Sequence, residues 1–154
     1  MRTRASSMKV SPDVKLTLNG RFQHEELLHG RHRRYNGFVY SAALIKHFDS
    51  PCHAGDLQDA NARVRIENPV CGDILELSAR IESGTIRAIR FKAQGCVPTM
   101  ACGSALCHLA NGRSTNEAMR LTSADLVHEI GGVPPASMHA VQLALEALHK
   151  LLES

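Results

Sequence analysis

A chain of 154 residues, 44% of them apolar, can bury one compact core. With no Trp and 4% aromatics, that core must be built from Leu, Ile, Val, Ala and Met. No apolar run approaches the roughly 20 residues that span a bilayer, and the basic start from Met1 to Lys9 leads into no apolar segment, so neither a membrane span nor an export signal is expected. The net charge of +3 is uneven: residues 1–39 hold eight Lys/Arg against three Asp/Glu and the remainder ten against twelve, which argues against a nucleic-acid-binding face on the domain.

In chain order, residues 1–39 show no sustained period. The run His29-Gly30-Arg31-His32-Arg33-Arg34 near their end reads as a solvated charge run, so this stretch is expected to be a basic, flexible, disordered N-terminal tail. Residues 40–154 are expected to form the domain. Ser41 to Phe48 has helical spacing and stops at Ser50-Pro51. Ala62–Glu67 and Ile74–Glu82 alternate as half-buried strands do. Ser83-Gly84 is a short turn, and Ile86, Ile89 and Phe91 carry a third strand. Strands joined this tightly pair antiparallel, which predicts a three-stranded meander.

Helical texture follows. Pro98 can start a helix that runs to about Ala110 and closes at Asn111-Gly112. Two short helices are expected at Ser114–Leu121 and Ser123–Ile130, the second with Ser123 as N-cap. After Gly131-Gly132 and Pro134-Pro135, a last helix from about Ser137 to Leu152 should bury the stripe Val141, Leu145, Leu148 and Leu152. Strands first and helices afterwards make the fold class α+β, a three-stranded antiparallel sheet packed against helices.

Five cysteines without an export signal are expected to stay reduced in a cytoplasmic compartment, available to metal. Cys71 lies in Asn68-Pro69-Val70-Cys71-Gly72-Asp73, where Pro and Gly favour an exposed loop and Asp73 can set a carboxylate beside the thiol; such a pair can hold zinc or iron. An incidental thiol in an ordinary turn has the same local pattern. Cys96 stands just before a helix, where the macrodipole favours thiolate. His139 opens the last helix and offers an imidazole. Cys102 and Cys107 fall on apolar helix positions and belong in the core, and Cys52 has nothing near it in sequence to complete a site.

The order of these segments resembles the NifU/IscU-like iron–sulfur cluster assembly scaffold family. Tyr40-Ser41, His47-Phe48-Asp49-Ser50-Pro51 and Ala60-Asn61-Ala62 look like its opening helix and loop. Asn68 to Asp73 looks like its first ligand loop, and Phe91 to Cys96 with Met100-Ala101 and Ser104 like its second. Gly131 to Pro135, His139 and Leu143-Ala144 look like its proline-containing loop and last helix. The likeness spans about residues 40–152.

It implies a non-enzymatic scaffold or carrier that binds iron or a [2Fe–2S] cluster through Cys71, Asp73, Cys96 and His139. It also implies a cysteine desulfurase as sulfur donor, a chaperone that reads the proline loop, and apo-protein acceptors. Two departures stand out: Ala140 where the family has its third cysteine, and Ser137 where it usually has Lys. The alternative is a degenerate module that binds structural zinc or docks on assembly partners. An enzyme with Cys96 as nucleophile, His139 as base and Asp73 as orienter ranks below both, since no oxyanion hole is marked.

Overall fold

Alternation in three successive stretches becomes a three-stranded antiparallel sheet of order β3-β4-β5, with β3 at Ala62–Glu67, β4 at Ile74–Glu82 and β5 at Thr85–Gln94. The computed structural model describes residues 32–35 and 38–154. Its first elements are a strand pair, β1 His32–Tyr35 with β2 Phe38–Ser41, so structured chain reaches into the stretch read from sequence as tail. The remainder of that stretch, residues 1–31 and 36–37, lies outside the described residues.

Register puts Val64, Leu77 and Phe91 in one row of the sheet, and Ile66, Leu75 and Ala93 in the next. These rows face the core. The alternate row Arg65–Glu76–Lys92 faces water, paired across strands at 3.4 and 3.3 Å, which contributes little at this exposure. Ser83 and Gly84 join β4 to β5 with φ of 52° and 74°, the left-handed pair that a two-residue hairpin requires. The free edge of β5 is covered: Phe91 N–H donates to His53 O, Gly55 N–H to Phe91 O, and Ile86 N–H to Arg113 O.

Helices take the core face. α1 (Ala42–Asp49) is capped by Ser41, whose Oγ accepts from Leu44 N–H and donates to the Ile130 carbonyl. α2 (Val97–Ala110) is buried on nearly all sides; only His108 is exposed and Leu109 half-buried, so it is the central helix rather than an amphipathic one. Gly103 is what lets it lie on β5, since a Cβ there would sit 2.6 Å from the Phe91 ring. α3 (Thr115–Met119) and α4 (Ser123–Glu129) follow, and α5 (Met138–Glu153) is entered through a short 3₁₀ turn at Pro135–Ser137. No helix among the described residues is long and apolar enough to cross a membrane.

Two expectations are corrected. The N-cap of α4 is Thr122, not Ser123: its hydroxyl accepts from Asp125 N–H while the Asp125 carboxylate takes the Thr122 N–H, a reciprocal pair that Ser123 cannot make from inside the helix. The buried face of α5 is Ala140, Val141, Leu143, Ala144, Ala147, Leu148 and Leu151, with Leu145 and Leu152 only half-buried. Alanines allow close helix approach, so the buried stripe is rotated away from the one drawn through the large side chains.

Candidate metal centre

Two loops and one helix end meet at the same end of the sheet. The loop between β3 and β4 is closed by Asn68, whose N–H donates to Asp73 O at 2.8 Å and whose carbonyl accepts from Gly72 N–H at 2.7 Å. Asn68 Oδ1 also accepts from Val70 N–H at 2.9 Å. This tight loop leaves Cys71 exposed and turns Asp73 inward, where it is 5% exposed. From β5, Gly95 and Cys96 lead into α2. Gly95 has φ 155°, and a Cβ on it would lie 2.3 Å from Asp73 Oδ1, so glycine is what admits the carboxylate. Cys96 occupies the N-cap position without capping the helix through its sulfur.

Asp73 Oδ2 is the hub. Thr99 Oγ1 donates to it at 2.6 Å, Cys96 Sγ lies 3.5 Å away, and His139 Nε2 lies 3.4 Å away. Cys96 Sγ is in turn 3.2 Å from Thr99 Oγ1 and 3.9 Å from His139 Nε2. Ligand atoms of Cys71, Asp73 and His139 all lie within 4.8 Å of one another. Tetrahedral ligands at metal–sulfur and metal–nitrogen bond lengths stand about 3.3–3.8 Å apart, so Cys71, Asp73 and His139 lie within small closing movements of three such positions, while Cys96 adjoins Asp73 and His139.

The tautomer of His139 follows from its neighbour. Nδ1 is 3.1 Å from the Ala136 carbonyl, which can only accept, so Nδ1 carries a proton. In the neutral ring, Nε2 then presents a lone pair toward the carboxylate and the sulfur. Two electron-pair donors facing each other need a proton or a cation between them. This is how a ligating histidine is commonly oriented.

The thiols are held protonated. Burial pushes the Cys96 thiol up to about 11, the Asp73 charge adds to it, and the Thr99 hydrogen bonds pull the other way without prevailing. The sequence expectation of a thiolate at this helix start is therefore overturned: one helix end does not offset lost hydration beside a carboxylate. Cys71 is raised as well, by burial first and then by Asp73. Tyr40, buried nearby, has its phenol pushed up to about 12 by burial and next by Cys96. A bound cation reverses this balance, since it favours thiolate directly.

The structure thus groups Cys71, Asp73 and His139, and sets Cys96 against Asp73 and His139. It leaves Cys102 and Cys107 fully buried in the core, their thiols raised by burial, and Cys52 half-buried with its N–H donating to Ser104 Oγ. Sequence reading missed Thr99, Gly95 and the Ala136 carbonyl. Only Thr99 left a signal, a hydroxyl one turn after Cys96. Ala140, beside His139, is 1% exposed.

Comparison with known proteins agrees with this architecture. The IscU iron–sulfur cluster assembly scaffold protein of Aquifex aeolicus (strain VF5) is 36% identical over 114 residues, 73% of each chain. The IscU scaffold protein of Escherichia coli (strain K12) is 29% identical over 114 residues, 71% of this chain and 88% of that one. A solved structure from Fervidobacterium islandicum AW-1, described as a candidate SUF-system scaffold for iron–sulfur cluster assembly, superposes with a TM-score of 0.63 at 17% identity, over 73% of this chain and 96% of that chain. The profile of the NifU-like N-terminal domain matches residues 39–154, three quarters of the chain, and the protein belongs to that family.

Proposed function

We propose that this protein is an iron–sulfur cluster assembly scaffold that carries iron or a [2Fe–2S] cluster as cargo, held by Cys71, Asp73, Cys96 and His139. The observation that carries the reading is the meeting of three ligand atoms within 4.8 Å, with Cys96 Sγ 3.5 and 3.9 Å from two of them. The relatives named above as scaffold proteins support it. The protein contributes ligands and orientation, not bond-breaking chemistry, and works in the cytoplasm. A cysteine desulfurase supplies the sulfur, a chaperone engages the exposed Pro135 region, and apo-proteins accept the cluster.

Ala140 in place of a third thiol favours one further reading, a module that keeps structural zinc or docks on assembly partners without building a cluster. Anaerobic reconstitution with ferrous iron and sulfide separates the two. The scaffold reading expects a visible absorbance band with matched iron and sulfide, lost in Cys71→Ala and Cys96→Ala. Wild-type protein that takes up no iron, or holds stoichiometric zinc and forms no cluster, overturns it.

A further inference from the structure

We propose that Thr99 is the residue that positions Asp73 for metal, and that it sets how tightly the centre holds a divalent cation. The inference rests on the reading of Asp73 as a ligand. Three observations carry it. Thr99 is 1% exposed, so its hydroxyl has no water to fall back on. Its Oγ1 donates to Asp73 Oδ2 at 2.6 Å, the shortest contact that carboxylate makes in the cluster. Its oxygen also lies 3.2 Å from Cys96 Sγ, whose thiol faces both Thr99 Oγ1 and, at 3.5 Å, Asp73 Oδ2.

One uncharged side chain therefore touches both the carboxylate and a thiol. On the opposite side, Asp73 Oδ1 sits over Gly95, where any Cβ would collide with it. The carboxylate is thus held between a hydroxyl that fixes Oδ2 and a backbone that leaves room only for Oδ1. Rotation of Asp73 away from Cys96 and His139 would break the Thr99 bond in a buried setting, so the hydroxyl keeps the oxygen within reach of the other ligands before any cation arrives. Residues that orient a metal ligand in this way typically change affinity 10–100-fold when removed.

Anaerobic titration of full-length apo-protein with Co²⁺ tests this, because thiolate-to-cobalt charge-transfer bands report Cys ligation and ligand-field bands report the geometry. Thr99→Val is expected to weaken Co²⁺ binding about 10–100-fold and to alter the ligand-field bands, while Thr99→Ser restores both. Thr99→Ala, which removes the hydroxyl without placing a new methyl there, gives the same loss. In an Asp73→Ala background, Thr99→Val should produce no further loss, since its effect runs through the carboxylate. The proposal is overturned if Thr99→Val and Thr99→Ala bind as wild type does, or if Thr99→Val weakens the Asp73→Ala protein by the same factor. Wild-type protein with no thiolate–cobalt band overturns the site reading itself. Binding that depends on Asp73 but not on Thr99 overturns the positioning role alone.

Discussion

The central helix carries two polar clusters, each with a hydroxyl, a carboxylate and a histidine, and they differ in how their hydrogen bonds close. At its first turn are Cys96 and Thr99, facing Asp73, His139 and the exposed Cys71. Further along are Ser104 and His108, facing His47, Glu129 and the backbone of Cys52. In the second cluster both ring nitrogens of His47 have protein partners. Glu129 can only accept, so His47 Nε2–H donates to it at 3.2 Å; in the neutral ring Nδ1 then accepts the Ser104 hydroxyl proton at 2.8 Å, and Ser104 Oγ accepts from Cys52 N–H. In the first, His139 commits Nδ1–H to the Ala136 carbonyl and turns Nε2 toward the Asp73 carboxylate. A closed donor–acceptor chain knits the loop after α1, α1, α2 and α4 together; an open set of acceptors invites a cation. Residue composition does not separate these outcomes, but the direction of each proton does.

The largest expected difference between the clusters is in metal affinity against pH. Between pH 6 and 8 both Cys96 and Cys71 are held as thiols, so each one that ligates releases a proton. Co²⁺ affinity should therefore rise with pH by up to about tenfold per unit per thiol, near 100-fold for two, and Cys71→Ser should halve the logarithmic slope. A flat profile would remove the thiols from the ligand set. Next in size, Ala140→Cys should lengthen the lifetime of a reconstituted cluster on the order of tenfold, by adding an anionic sulfur beside His139. An unchanged lifetime would place position 140 outside the site. Smaller again, Ser104→Ala should destabilise the fold by about 1–3 kcal/mol in chemical denaturation, because the His47 Nδ1 and the Cys52 N–H lose their shared partner. Metal affinity of the folded protein should not move; if it drops with stability, the two clusters are one unit.

What was legible in the sequence follows a physical divide. The limits of β3 and β4 came straight from alternation, because each has one wet face and one dry face and a period of two records that. Cys102 and Cys107 were correctly assigned to the core because a free thiol among Ala, Leu and Met packs as a small apolar side chain. The α5 stripe was misdrawn because Ala140, Ala144 and Ala147 pack as tightly as leucines yet weigh little in a hydrophobic pattern. The Thr122 cap was missed because Ser123, next to it, is an equally good capping type, and only the direction of the Asp125 carboxylate decides. At the candidate centre, loop chemistry marked Cys71 and Asp73, whereas the spacing of Thr99 from Cys96 was legible but its bond to Asp73 emerged only from the packing of the loop against α2. The protonated state of Cys96 depends on burial and on a charge 23 positions away, neither of which a helix start reveals.

The smallest expected effect tests whether the second cluster is closed as its hydrogen bonds indicate. Burial lowers the basicity of His47, and His108 and Lys46 oppose a second positive charge, while Glu129 pulls the other way and does not prevail. A histidine whose folded pKa lies below its unfolded value contributes stability that is present above about pH 6.5 and is lost as the pH falls through that value, since the unfolded chain takes up the proton first. Melting temperature of the apo-protein should therefore fall from pH 7.5 to 5.5. His53, lowered by burial and by Arg90, contributes a slope of the same sign, so His47→Gln should remove only part of it. Glutamine keeps donor and acceptor groups without titrating. If His47→Gln leaves the acid slope unchanged, His47 is already free to protonate in the fold, Glu129 rather than burial governs its charge, and the contrast between a closed cluster and an open one fails at this residue.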